Sequence, residues 1–170
     1  GDRRVGDLAW HRLTPARRAL ADAYDRSPSR ALFHAPRSIA LRCGRARAEA
    51  YLLLGWLATR LGWRLREPDA EDPDVWVFDA GGEWLTAEVT GEAELPGGVR
   101  EVRLVRGRQA LTLPFEPLPA DDLARFLDEE LDAWAPDPIY IAAVQLAATL
   151  AKTAADRYFG THFASKGNVR

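Results

Sequence analysis

The sequence predicts an α+β domain: an antiparallel sheet of about five or six strands, packed on one side by helices, with a long C-terminal helix. Three observations support this fold class. Residues 45–61 carry apolar side chains at helical spacing, five short strand-like runs between residues 63 and 115 are separated by glycine turns, and residues 138–159 form a second helical stretch. With 170 residues and 47% hydrophobic composition, the chain suits one domain with a buried core.

The first predicted elements are a helix and a strand. Thr14 and Pro15 are typical of a helix start, and an inner stripe follows to about Tyr24, formed by Ala16, Ala19, Leu20 and Ala23. Residues 38–43 (SIALRC) have the composition of a strand, and Gly44 turns the chain into the next helix.

The predicted helix at residues 45–61 contains the block AYLLLGWLATRL and is apolar on two faces. Leu53 and Leu57 share one stripe, whereas Leu52 and Trp56 lie on the other side. Gly55 in its middle costs about 1 kcal/mol relative to alanine, so we expect another element to approach its backbone closely. Gly62 suits the left-handed residue that ends such a helix.

Five strands are predicted next, at residues 63–66, 75–78, 84–90, 99–106 and 110–115, with turns at Gly81-Gly82, residues 96–98 and Gly107. In the third run we expect one set of residues to face the helices, namely Leu85, Ala87 and Val89. In the last run the inward set is Leu111, Leu113 and Phe115. We place Trp63 and Trp134 in the core and Trp76 or Trp84 on the outer sheet face, where they could anchor a partner.

Two further helices complete the prediction. The first begins at Asp121-Asp122 and buries Leu123, Phe126, Leu127 and Leu131. The second runs from Pro138 to about residue 159 and stops at Gly160, which leaves an extended tail at residues 160–170. Gln145, Thr149 and an alanine-rich face argue against a membrane span. We expect this helix to pack against this domain, an upstream domain or a second copy of the chain, and residues 1–170 to be one domain, the C-terminal part of a longer protein.

Charge is unevenly distributed along the chain. Residues 1–67 hold fourteen arginines against six acids, whereas residues 68–98 hold nine acids and no basic residue. The acidic strands could fold back beside the basic half, or the arginines could serve an acidic partner or an anionic ligand. Two lysines, no reading motif and a net charge of −2 place nucleic-acid binding last among the function classes.

No catalytic constellation is visible in the sequence. The phosphate-binding, dinucleotide-binding, zinc-protease and serine-hydrolase motifs are absent, and His11, His34 and His162 are scattered. The single cysteine, Cys43, excludes an internal disulfide and any cysteine-based zinc site, and is expected to be a small buried residue. We therefore predict a non-enzymatic, cytoplasmic protein that needs no cofactor and no metal.

The best ligand-like feature is the junction between the first strand and the second helix, which carries Arg42, Arg45 and Arg47 around Gly44. Free backbone N–H groups at a helix start, together with three arginines, would suit a phosphate or carboxylate. The alternative is that alternation along the chain points these side chains in different directions, as ordinary solvated arginines.

Two strings resemble a known family. Residues 6–14 (GDLAWHRLT) and residues 53–63 (LLGWLATRLGW) are similar to the C-terminal domain of the OpcA family, the glucose-6-phosphate dehydrogenase assembly proteins, and the resemblance runs to about residue 140. It implies a bacterial protein that binds glucose-6-phosphate dehydrogenase and promotes its active oligomer, as an allosteric effector in the oxidative pentose phosphate pathway. The long last helix departs from the family pattern, and one cysteine offers no intramolecular redox switch.

Under this resemblance, the predicted partner-binding residues are Trp10, Arg12, Arg17, Arg18, Trp56 and Arg60. The alternative is that the two tryptophans pack internally or against an upstream domain. The expected partners are the dehydrogenase, that upstream domain and, through the C-terminal helix, a second copy, with no nucleic acid and no membrane. The alternative function is a regulatory domain that binds a small anion, such as a sugar phosphate or a nucleotide, at the arginine junction.

Overall fold

The computed structural model describes residues 8–26, 29–66, 72–95, 97–116 and 137–166. Its helices are α1 (Leu8–Arg12), α2 (Thr14–Asp25), α3 (Arg30–His34), α4 (Ala48–Leu61) and α5 (Pro138–Lys166). Its strands are β1 (Ser38–Gly44), β2 (Arg64–Leu65), β3 (Val75–Ala80), β4 (Glu83–Glu92), β5 (Val99–Arg106) and β6 (Gln109–Pro114). The predicted α+β class, with a six-stranded sheet and a long C-terminal helix, is confirmed.

The strands form one sheet in the order β2-β3-β4-β1-β5-β6. Neighbouring strands are antiparallel except β1 and β4, which are parallel, so the sheet is mixed where the sequence predicted an antiparallel one. The exception arises because the β4–β5 connection crosses the end of β1. There the N–H of Gly44 donates to the carbonyl of Gly98 at 2.9 Å, and that of Arg45 to Leu95 at 3.2 Å.

One face of the sheet is buried under the helices and the other face is largely open. On β4, Leu85, Ala87 and Val89 are fully buried, as predicted, whereas Trp84 is 60% exposed. The placement of Trp76 on the outer face is wrong, because its side chain is fully buried and packs edge-on against Tyr51. Every position of the run 75–78 is apolar, so its sequence does not distinguish the two faces.

Helix α4 is the centre of the core and contacts both β1 and α5. A Cβ added at Gly55 would lie 2.5 Å from the carbonyl oxygen of Ala143 in α5, which confirms the predicted close approach. The helix begins at Ala48, three residues later than predicted. It ends as predicted at Gly62, whose φ is 69° and whose N–H donates to the carbonyl of Ala58.

Helix α5 extends further than the sequence indicated. The predicted stop at Gly160 and the extended tail that follows it are wrong as far as Lys166, because a glycine within a helix costs only about 1 kcal/mol. Leu150 is fully buried, and Nη1 of Arg157 donates to the carbonyls of Asp72 and Val75 at 2.7 and 2.8 Å. By length and a mean hydropathy of 1.2, residues 138–158 could also cross a membrane.

Helix α2 buries Ala16, Leu20 and Ala23, as predicted. Its N-cap is Leu13 rather than Thr14, and the Thr14 hydroxyl instead accepts a hydrogen bond from Arg17 at 3.1 Å. The predicted helix at Asp121 and the core position of Trp134 lie outside the described residues.

Candidate functional site

A groove of about 250 Å³ lies between α2 and α4. Its floor is apolar, because Leu20, Phe33 and Leu57 are each no more than 2% exposed. The other lining residues come from the outward sides of the two helices: Ala21, Tyr24, Asp25, Trp56, Arg60 and Leu61. Within the described part of the chain, this is the site where the apolar surface of two predicted partner-binding residues opens to solvent.

The aromatic walls of this groove are held by specific contacts. Tyr24 packs edge-on against Phe33 with ring centroids 5.7 Å apart, and its hydroxyl lies 3.4 Å from Nε2 of His34. The guanidinium of Arg30 covers the Tyr24 ring at 5.1 Å. Tyr24 therefore has a fixed position, and the groove keeps its shape without a ligand.

The rim of the groove carries two charges in different situations. Asp25 lies 3.9 Å from Arg30, so its charge has a neighbouring counterion. Arg60 is exposed and makes no ion pair with any residue in the described ranges. Arg18, also exposed, lies one helical turn before Ala21 on α2. The rim thus has an excess of positive charge.

The remaining predicted partner-binding residues lie in a second place and contact one another. Trp10 is 8% exposed and packs against Tyr140 of α5 with ring centroids 5.0 Å apart. The guanidinium of Arg17 stacks over the Trp10 ring at 3.7 Å and donates to the Trp10 carbonyl at 3.3 Å. Burial lowers the pKa of Arg17 from its ordinary value, although Asp137 partly opposes this effect. Trp10 and Arg17 therefore follow the alternative of internal packing.

Arg12 is also engaged within the domain, since Nη1 lies 3.3 Å from the carboxylate of Glu49. Glu49 is 9% exposed and belongs to the first turn of α4, where a negative charge is favoured by the helix dipole. This pair joins α1 to α4. Of the six predicted partner-binding residues, the structure thus brings Trp56 and Arg60 into the groove and leaves Arg18 near its rim.

The three arginines of the predicted anion site do not converge. Nε of Arg42 donates to Glu92 at 3.0 Å, and this bond raises the pKa of the guanidinium. Arg47 forms an ion pair with Asp74, while Arg45 is exposed. Two of the three charges are therefore compensated by carboxylates of the same chain, as the alternative of divergent arginines requires.

Titratable groups elsewhere give little chemistry to build on. Cys43 is fully buried, and burial raises the pKa of its thiol, which keeps the sulfur protonated and unreactive at neutral pH. Over the residues that the structure describes, His, Cys, Asp and Glu form no group of three or more that could hold a metal ion.

Sequence reasoning missed the α2 and α3 side of the groove. The local pattern indicates Tyr24 only as the end of a helix and gives Phe33 no role, because it does not reveal which helix lies opposite Trp56. The four-residue spacing of Trp56 and Arg60, with Leu57 and Leu61 beside them, was the usable signal. The contact between the exposed Trp84 and Arg66, 5.7 Å apart, was also missed.

Comparison with known proteins gives one informative match. The family model for the C-terminal domain of the glucose-6-phosphate dehydrogenase subunit OpcA matches residues 3–144. No curated protein matches the chain. Among solved structures, UDP-N-acetylglucosamine 3-dehydrogenase GnnA from Acidithiobacillus ferrooxidans is 13% identical with a TM-score of 0.45, over 86% of this chain and 59% of that protein. The chain thus spans less than two thirds of that protein's length, and the likeness is too weak to extend to function.

The family match covers well over half of the 170 residues, and it includes α1 to β6, the groove between α2 and α4, and the start of α5. The residues that line the groove therefore all belong to the matched region. The chain belongs to the OpcA family, and the matched region is the C-terminal domain that defines this family of glucose-6-phosphate dehydrogenase subunits.

Proposed function

We propose that this chain is a non-catalytic subunit that binds glucose-6-phosphate dehydrogenase and promotes its active oligomer, in the cytoplasm and in the oxidative pentose phosphate pathway. Family membership supports the link to the dehydrogenase. The observation that carries the binding role is the groove between α2 and α4, where Trp56 and Arg60 stand on one exposed edge of an apolar depression. Tryptophan and arginine are the residue types that most often dominate binding energy at protein interfaces.

The proposed effect on the enzyme has a thermodynamic requirement. A binding protein shifts the dehydrogenase toward an active oligomer only if it binds that oligomer more tightly than the inactive form. A tenfold shift of that equilibrium needs a difference of about 1.4 kcal/mol in binding free energy. One well-packed side chain in a groove of this kind can supply a difference of that size.

The test uses the full-length protein and the dehydrogenase of the same organism. Sedimentation velocity reports the complex and the oligomeric state of the enzyme, and the NADP-dependent rate reports activity. We expect a complex, a larger dehydrogenase species and a higher rate. The absence of both a complex and a rate change at micromolar concentrations would refute the proposed function.

Matched variants locate the interface in the same assay. Trp56→Ala should weaken the complex, whereas Trp84→Ala, which removes the same side chain from the open sheet face, should leave it intact. If Trp84→Ala alone abolishes binding, the protein still binds the enzyme but does so through the sheet and not through the groove.

The alternative function, binding of a small anion, rests on Arg45 once Arg42 and Arg47 are engaged by Glu92 and Asp74. Thermal unfolding in the presence of glucose 6-phosphate or NADP tests it, since a ligand at 100 times its Kd stabilises by about 2.7 kcal/mol. A rise in Tm that Arg45→Ala abolishes would favour this alternative. Contact with an upstream domain and self-association through α5 stay predictions.

A further inference from the structure

The groove between α2 and α4 has the size of a docking site for one large side chain. Its volume of about 250 Å³ lies below the range of about 300–1,000 Å³ that is usual for small-molecule sites. The floor formed by Leu20, Phe33 and Leu57 contributes no polar group, so nothing there could orient a sugar or a phosphate. An aliphatic or aromatic side chain is the group that this floor binds best.

The charges at the mouth specify what must accompany that side chain. Asp25 has Arg30 as a counterion, whereas Arg60 has none within the described chain. Arg60 follows Trp56 by one helical turn, so the guanidinium stands at the edge of the apolar depression. A carboxylate beside the inserted side chain would complete this arrangement, because a guanidinium binds a carboxylate through two parallel hydrogen bonds.

We propose that the groove receives one exposed apolar side chain of glucose-6-phosphate dehydrogenase, flanked within one helical turn by an Asp or Glu that pairs with Arg60. This assignment rests on the proposed function and names the surface through which it operates. The apolar residue supplies most of the affinity from the groove. The carboxylate sets the register of the two proteins and the rate of their encounter.

Mutagenesis of the groove gives the first test. With the dissociation constant measured by titration, Trp56→Ala should raise Kd about 30-fold and Arg60→Glu about tenfold, with the second effect larger at low salt. Arg108→Glu, at an exposed turn between β5 and β6, is the charge-matched control and should leave Kd unchanged. Unaltered binding by both groove variants would overturn the proposal while leaving the proposed function in place.

A second variant guards against loss of folding in Trp56→Ala. Ala21 is exposed on the groove wall, so Ala21→Trp fills the depression from the solvent side without removing a core atom. We expect Ala21→Trp to keep the Tm of the parent protein and to abolish binding. Full binding by a folded Ala21→Trp protein would contradict the proposal.

Photo-crosslinking identifies the occupant. A benzoylphenylalanine at position 21 should crosslink to one dehydrogenase segment in which an apolar residue lies within four positions of an acid. The same group at position 110, on the exposed edge strand β6, serves as the control. Replacing the identified acid with Arg should then restore binding of the Arg60→Glu variant. Crosslinking to a second copy of this chain, or to a segment without an acid, would overturn the assignment.

Discussion

Replacing Gly55 with alanine places a methyl carbon 2.5 Å from the carbonyl oxygen of Ala143, and 3.4 Å from its carbonyl carbon and from the nitrogen of Ala147. All three atoms belong to the backbone of α5, so no side-chain rotation relieves the contact. Helices α4 and α5 must move apart by most of an ångström along a buried interface. Overpacking of this kind costs about 1–3 kcal/mol.

The same substitution has a favourable contribution, because alanine is better than glycine inside a helix by about 1 kcal/mol. The steric cost is larger, since the contact is shorter than any relaxed Cβ contact and involves rigid atoms. We therefore expect a net loss of about 1–2 kcal/mol in the free energy of unfolding. For a chain of this size that corresponds to a fall in Tm of about 2–8 °C.

Urea unfolding followed by tryptophan fluorescence measures this loss, with calorimetry as the check on Tm. Gly97→Ala is the control, because a Cβ at that position meets only the Ala46 methyl at 3.8 Å, an ordinary contact distance. We expect Gly97→Ala to lie within about 0.5 kcal/mol of the parent protein. A Gly55→Ala protein as stable as the parent, or more stable, would refute the reasoning that backbone contact selects glycine here.

Other consequences can be checked on the same sample. Arg157→Ala removes two hydrogen bonds to the carbonyls of Asp72 and Val75, so we expect about 1.5–3 kcal/mol lower stability in urea and faster amide exchange there; parent-like exchange would contradict it. Burial raises the folded-state pKa of Cys43 above its ordinary 9.0, so the unfolded thiol ionises first as pH rises. Stability should then fall above about pH 9, less steeply in Cys43→Ala, and equal slopes would count against it. A turn N–H and Arg66 lower the pKa of Asp79, so its stabilisation is present above its ordinary pKa of 3.8 and is lost as pH falls below it; Asp79→Asn should flatten that acid limb in urea titrations.

Much of the architecture followed from local sequence patterns. Gly55 within a continuous apolar helix predicted the close approach of another backbone, and glycine pairs between alternating runs placed five strands. The parallel pairing of β1 with β4 was not accessible, because a strand alternates in the same way beside a parallel or an antiparallel neighbour. Trp76 was misplaced because an all-apolar run gives no side preference.

The candidate site was accessible only in half. Helical spacing placed Trp56 and Arg60 on one edge, and that edge lines the groove. Trp10 and Arg17 have the same residue types, yet they stack on each other, and spacing along the chain does not distinguish a side chain aimed at a partner from one bound internally. Which helix lies across from Trp56 is decided by tertiary packing.

The position of β1 determines when this domain can complete itself. Ser38 pairs with Thr86 on one side and with Val105 on the other, so the central strand waits for segments synthesised much later. A nascent chain that ends before β5 exposes a bare apolar strand edge, the kind of surface that recruits other chains into aggregates. We expect truncations before residue 106 to be insoluble and dependent on chaperones during synthesis.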